Sequence, residues 1–225
     1  MRSSVSRPLQ CAALCCVTAL AGCGGGIHAA AAPSPAGPVD RGVPPFTAAD
    51  AAFMRGMIAH HAQAVRMALW APTHGAGPAV RALCARIAVA QRDEIAAMER
   101  WLKERREAVP DVDTATGRMM PGTGGGMAAM GGMAPDTLMP GMLTAAQLAQ
   151  LYGATGHAFD RLFLRYMIQH HEGALAMVQR LVSTPGAAQD GFVFQAASDV
   201  SADQSAEIDR MRRMLAALTL EEGNQ

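Results

Sequence analysis

The chain has 225 residues, with 19 basic and 19 acidic side chains, half of its residues hydrophobic and 4% aromatic, sixteen methionines and five cysteines. That balance of charge lacks the basic excess that nucleic-acid binding draws on, and the length suits one core of ordinary size. A disulfide framework is excluded too, because Cys11, Cys15, Cys16 and Cys23 fall in or directly after an export signal and Cys84 is left alone. Cys84 lies in an Ala/Leu/Ile/Val helical stretch and reads as a small buried hydrophobe.

At the N-terminus, Arg2 and Arg7 precede an apolar run from about Leu9 to Leu20, too short for a stable membrane span. The run closes on Leu20-Ala21-Gly22-Cys23, which resembles a bacterial lipobox. Residues 1–22 are therefore expected to be a lipoprotein signal peptide, with Cys23 the lipid-modified first residue of the mature chain. Gly24 stands where an acidic residue would signal inner-membrane retention, so a periplasm-facing outer-membrane location is expected. Without Arg2 and Arg7 the basic residues fall from 19 to 17 against 19 acidic, a formal net of −2. Residues 23–45, rich in Gly, Ala and Pro, read as a flexible tether.

Residues 46–221 carry helical patterns. Thr47 and Asp50 signal a helix start, and Phe53, Met54, Met57, Ile58, His61, Val65 and Leu69 recur at helical spacing until Pro72. Pro78 suits the first turn of a second helix, with Val80, Leu83, Ile87, Ile95, Met98 and Leu102 on one side, which completes a first hairpin over residues 46–109. Residues 110–143 break the pattern with repeated Gly and Pro and hold Met119, Met120, Met127, Met130, Met133, Met139 and Met142. This segment reads as a linker and a candidate copper-gathering arm. Thr144 and Gln147 form a capping-box signal for a short helix, and long helices from about His157 and Ala188 make the second hairpin, residues 144–221. Sustained period-2 alternation is absent. An all-α four-helix bundle of two hairpins follows, since each hairpin needs the other to cover its apolar stripe.

The two hairpins are near copies. Phe53 to Met67 returns 110 positions later as Phe163 to Met177, and Gln91-Arg-Asp-Glu94-Ile-Ala-Ala-Met98 returns as Gln204-Ser-Ala-Glu207-Ile-Asp-Arg-Met211. In each copy a methionine and two histidines stand at i, i+3 and i+4, namely Met57, His60 and His61, then Met167, His170 and His171. Adjacent histidines diverge by about 100° around a helix, so one of each pair is expected to face the bundle axis and the other a flanking helix. Met67 and Met177 lie two turns further on. Glu94 with Met98, and Glu207 with Met211, offer donors at i, i+4 on the second helix of each hairpin. Soft thioethers select monovalent copper and imidazoles accept copper, zinc, iron or nickel, so these twelve residues are the candidate metal ligands and copper the expected ion. His28, His74 and His157 are expected to be solvated.

Other chemistries find less support. The Glu-x-x-His motif of di-iron bundles is absent, as is the His-Glu-x-x-His motif of zinc proteases. Two alternatives stay open: a structural or interaction bundle whose histidines satisfy core hydrogen bonds, and a metal-dependent redox enzyme. The reading preferred here is a metal-binding protein without catalytic activity.

The two Met-Ile-x-His-His segments, the Phe159-Asp-Arg-x-Phe163 lead-in and the two Gln-x-x-Glu-Ile-x-x-Met segments resemble the bacterial domain-of-unknown-function 305 family over roughly residues 46 to 218. That resemblance implies a ferritin-like four-helix bundle, exported, with copper binding and tolerance as the associated role. Two departures matter: Ala62-Gln63 of the first copy corresponds to Glu172-Gly173 of the second, and the methionine-rich linker is longer than the fold requires.

Overall fold

A computed structural model describes residues 46–119 and 138–223; the signal peptide, the tether with Cys23, and four of the linker methionines (Met120, Met127, Met130 and Met133) lie outside the described residues. The chain order is α1 (Ala48–Ala68), α2 (Pro78–Glu104), β1 (Val112–Asp113), β2 (Arg118–Met119), α3 (Ala145–Tyr152), α4 (Gly156–Val182) and α5 (Gly191–Gly223). Thr47 and Asp50 close a reciprocal capping box at α1, and Thr144 and Gln147 do the same at α3, so two sequence signals act as expected. Pro78 opens α2, where its missing N–H is harmless.

The expected bundle is present. Helix α1 packs along α2, α4 along α5, and the two hairpins meet along α1 and α4. Two apolar clusters fill the interior. One joins Phe53, Met57 and Ile58 of α1 to Ile95, Met98 and Trp101 of α2 and to Val193 and Val200 of α5. The other joins Met67 of α1 to Leu83 and Ile87 of α2, Phe163 and Met167 of α4, and Ile208 and Met211 of α5. Full burial of each large apolar side chain contributes roughly 1.5–3 kcal/mol. Between the clusters, at mid-helix, lie buried His60, His61, His170 and His171. Among the described residues no helix is long and apolar enough to cross a membrane.

The linker departs from expectation. Its first part forms the antiparallel pair β1–β2 against α1, and Arg92 of α2 donates to the carbonyls of Thr114 (2.8 Å) and Ala115 (2.7 Å) in the turn. Gly117 has φ +67° and lies so close to α1 that a Cβ would meet the Ala62 carbonyl at 2.4 Å. Its last part, Leu138 to Leu143, lies against α1 and α4, and Met139 and Leu143 are buried. The described ends of the segment therefore belong to the fold. Of its methionines, Met119 is exposed, Met142 half-buried, and Met139 part of the core, so Met139 cannot belong to a free arm.

The duplication also fixes how the hairpins embrace. Asp50 and its counterpart Asp160 stand 110 positions apart, and each is buried at the start of its helix. Asp50 Oδ1 accepts the Ala188 N–H at 2.7 Å in the α4–α5 loop, while Asp160 accepts the Gly77 N–H at 3.0 Å in the α1–α2 loop. Each hairpin thus holds the other's loop. A third carboxylate, Asp190, accepts from Trp101 Nε1 at 3.1 Å and Arg105 Nη2 at 2.6 Å, joining the start of α5 to the end of α2. Burial pushes the Asp190 carboxyl up, but the Val193 N–H, Arg105 and Trp101 outweigh it and hold it below the usual carboxylate range.

Asp50→Ala removes the carboxylate half of the capping box, which accepts the Thr47 N–H, and leaves the buried Ala188 N–H without a partner, which together should cost about 2–4 kcal/mol. Urea unfolding should show that loss. A change under about 0.5 kcal/mol would show that the reciprocal clasp is unimportant.

Candidate metal centre

The four histidines sit where α1 and α4 cross, and the duplication places them in symmetric roles. The His60 and His170 rings face each other across the hairpin interface, with centroids 3.8 Å apart and planes inclined at 39°. His61 turns instead towards α2 and His171 towards α5, as the angular divergence of adjacent helical residues requires. All four side chains are shut off from solvent.

Their hydrogen bonding is incomplete. His60 Nε2 lies 3.0 Å from the Pro140 carbonyl, which can only accept, so Nε2 carries the proton and Nδ1 keeps a lone pair. That Nδ1 meets no partner. His170 has none at either ring nitrogen. His171 Nε2 is 2.6 Å from Glu207 Oε2 and donates to it, again leaving Nδ1 alone. His61 Nε2 is 2.7 Å from Glu94 Oε2, but the carboxylate lies off the N–H direction, so the contact is an ion-pair distance without hydrogen-bond geometry. Both nitrogens of His61 therefore remain without a satisfactory partner.

Electrostatics keep the central pair neutral. Burial first, then the His61 and His171 rings, push the His60 imidazole down to about 3 against the opposing Pro140 hydrogen bond. His170 is driven well below the ordinary histidine value by burial and by His60, His171 and His61. Neutral imidazoles are the form that binds metal.

The thioethers divide between the two apolar clusters. Met57 and Met98 are buried in the first, with Met177 at its margin, and Met67, Met167 and Met211 are buried in the second. Met57 and Met167 precede His60 and His170 by one helical turn, so each sulfur stands on the same side as its histidine. Met177 packs with Met139 over Gly56, away from the ring pair. Among the described residues no three His, Cys, Asp or Glu side chains already close on one point. Nitrogen donors come in pairs, and sulfur is what stands nearest in the sequence to complete them.

Several contributors were missed at the level of sequence. Gln91 and Gln204 are buried one turn before Glu94 and Glu207, and neither atom of either amide has a partner. Their recurrence on an otherwise apolar face was the available signal. The Pro140 carbonyl that orients His60 had none, because a backbone group supplied by a Gly/Pro-rich segment leaves no pattern. His74, expected to be solvated, has its two ring nitrogens 2.8 Å from the carbonyls of Trp70 and Tyr152. Cys84 is buried as expected, and burial, then Asp160, push its thiol up and keep it from acting as a thiolate.

The family model described as Domain of unknown function (DUF305) matches residues 50–215. No curated protein matches the chain. Among solved structures, a DUF305 protein of Streptomyces coelicolor, one thought to be secreted, is 26% identical with a TM-score of 0.60, covering 76% of this chain and 94% of its own. A DUF305 fragment from Deinococcus radiodurans is 27% identical with a TM-score of 0.59, covering 77% and 99%. CopM in its Cu(II)-bound form is 27% identical with a TM-score of 0.54, covering 75% and 96%; Cu(I)-bound and Ag-bound forms of CopM match as well. With a family match that spans most of its length and a helical bundle like those of its relatives, the chain belongs to the DUF305 family.

Proposed function

We propose that this protein is an exported, lipid-anchored copper binder that captures and buffers the ion through its interior histidines and methionines, without transforming a substrate. The observation that carries this reading is the His60–His170 pair, its tilted rings 3.8 Å apart in a closed interior with three of their four nitrogens unpartnered. Each buried polar atom left without a partner costs about 1–3 kcal/mol. A metal ion removes that penalty by using the lone pairs. A purely structural bundle would be served better by leucine at both positions, since the site is closed and flanked by apolar clusters.

The donor chemistry favours copper. Neutral imidazoles with neighbouring thioethers suit a soft ion, and monovalent copper above zinc or the harder divalent ions. His60, His170 and the thioethers of Met57 and Met167 form the inner set in this reading, while His61 with Glu94 and His171 with Glu207 flank it. Met98 and Met211 stand on the facing helices, and Met67 and Met177 extend the sulfur supply away from the centre. CopM, which exists in Cu(I)-, Cu(II)- and Ag-bound forms, supports copper as the ion. The secreted character ascribed to the Streptomyces coelicolor relative agrees with export.

His60→Leu/His170→Leu separates metal binding from packing. The variant should lose tight copper retention by at least about tenfold, equivalent to about 1.4 kcal/mol, yet its metal-free form should be as stable as the parent or more so, because unpartnered nitrogens are gone. Retention by equilibrium competition with a chelator and stability by urea unfolding give both numbers. Undiminished retention, or a strongly destabilised metal-free form, would make the pair a packing feature.

Anchoring rests on Leu20-Ala21-Gly22-Cys23 and on the outer-membrane reading of Gly24. Several acyl chains on Cys23 would hold the protein stably where a single chain would not. Cys23→Ser should release the protein from the membrane fraction or stall its processing, and intact-mass analysis of the mature N-terminal peptide should find acylated Cys23 in the parent; an unmodified Cys23 there would contradict the anchor.

A further inference from the structure

Helices α2 and α5 run on the outer sides of the two hairpins, and between them lies a cleft of about 410 Å3 lined by Gln91, Glu94, Asp203, Gln204 and Glu207. A second hollow of about 240 Å3 shares Glu94 and Asp203 and adds Asp199. Four carboxylates thus line one continuous groove. Arg86 and Arg210 line the larger cleft as well. Carboxylates alone would be an ordinary solvated face, but the floor is not ordinary. Gln91 is 3% exposed and Gln204 2% exposed, both border the cleft, and all four of their amide atoms lack a partner.

These glutamines correspond to each other in the duplication, one turn before Glu94 and Glu207 on their helices. Two buried amides with idle oxygens, set beneath four carboxylates, make a surface of hard oxygen donors unlike the imidazole and sulfur interior. We propose that the α2–α5 cleft is a second, separate cation site, which takes a hydrated divalent ion on the carboxylates of Glu94, Asp203 and Glu207 and the amide oxygens of Gln91 and Gln204. Oxygen donors of this kind suit ions that keep part of their water shell. Among the described residues no three ligating side chains close on one point, so in this proposal the ion keeps its water shell and meets the carboxylates through it.

The groups share one field. Burial first, then the charges of Glu94, Asp199 and Glu207, push the Asp203 carboxyl up, so Asp203 senses both helices across the groove. The cleft also touches the histidine centre, because Glu94 is 2.7 Å from His61 Nε2 and Glu207 is 2.6 Å from His171 Nε2. An ion collected on the oxygens therefore sits at the door of the softer donors, which is where the hydrated divalent form of copper would wait. That last role rests on the copper-binding reading, whereas the oxygen site does not.

Manganese(II) is the direct probe, since it favours oxygen ligands and retains its waters. Electron paramagnetic resonance titration of the full mature protein should show one bound manganese ion with a submillimolar Kd. Binding should weaken at least about fivefold in Asp203→Asn, a change at an exposed position, and again in Gln91→Leu/Gln204→Leu. It should persist in His60→Leu/His170→Leu, whose copper retention is lost, so failure of the copper reading leaves this outcome unaffected. Copper(II) loading followed by stopped flow should slow at least about threefold in Asp203→Asn at low salt and converge with the parent at high salt. No submillimolar manganese binding in the parent, or equal binding by parent and Asp203→Asn, would overturn the oxygen site. Equal copper(II) loading rates at low salt would overturn its role as the way in.

Discussion

The fold is organised around an unfavourable act, the burial of two imidazoles against each other at the crossing of α1 and α4. Water is excluded, the neighbouring rings repel any added charge, and the Pro140 carbonyl satisfies one nitrogen only. The apolar clusters on either side must carry the stability that this layer withholds, and the paired clasps of Asp50 and Asp160 hold the hairpins together so that the rings cannot separate. Stability and the candidate centre thus occupy different layers of one bundle. Such a division is common where a polar group is kept for chemistry, because a half-satisfied polar interior is less stable than an apolar one.

One divergence between the two copies, Ala62-Gln63 against Glu172-Gly173, has a mechanical explanation. Ala62 is buried where the β1–β2 turn lies on α1, with Gly117 against its carbonyl, whereas its counterpart Glu172 is exposed and accepts from Arg212 at 2.7 Å. Gln63 accepts from the Leu143 N–H at 2.7 Å and donates to the Leu143 carbonyl at 3.1 Å, like one rung of a strand. Its counterpart Gly173 leaves room for the same segment, since a Cβ there would lie 2.0 Å from the Pro140 carbonyl. An internal duplication is symmetric, but the chain joining its halves can cross only once. The departures mark where it crosses, and the same crossing supplies the carbonyl that orients His60.

Much of this was legible beforehand. Helix starts followed from Thr47 with Asp50 and Thr144 with Gln147, the bundle from two amphipathic hairpins, and the splitting of each histidine pair between the axis and a flanking helix from helical geometry, though not which histidine turns outward. What stayed hidden depended on contacts between distant segments. Nothing in the local pattern of residues 110–143 says that Met139 is buried or that Pro140 meets His60, because the Gly and Pro content that suggests a loose linker also permits a close-packed one. Glu94 and Glu207, candidate ligands by their spacing, each lie against the Nε2 of a histidine of their own hairpin and front the α2–α5 cleft, and Glu207 also holds the His171 ring by a hydrogen bond. The glutamines beneath them were visible as a repeat but carried no meaning until their burial was known.

X-ray absorption at the copper edge, on protein loaded with one equivalent of reduced copper, tests most directly whether the His60–His170 pair holds the ion. Imidazole nitrogen together with thioether sulfur in the first coordination shell is the predicted result, with the imidazole scattering lost in His60→Leu/His170→Leu. A shell of oxygen donors alone, or imidazole scattering that survives that double substitution, would contradict it.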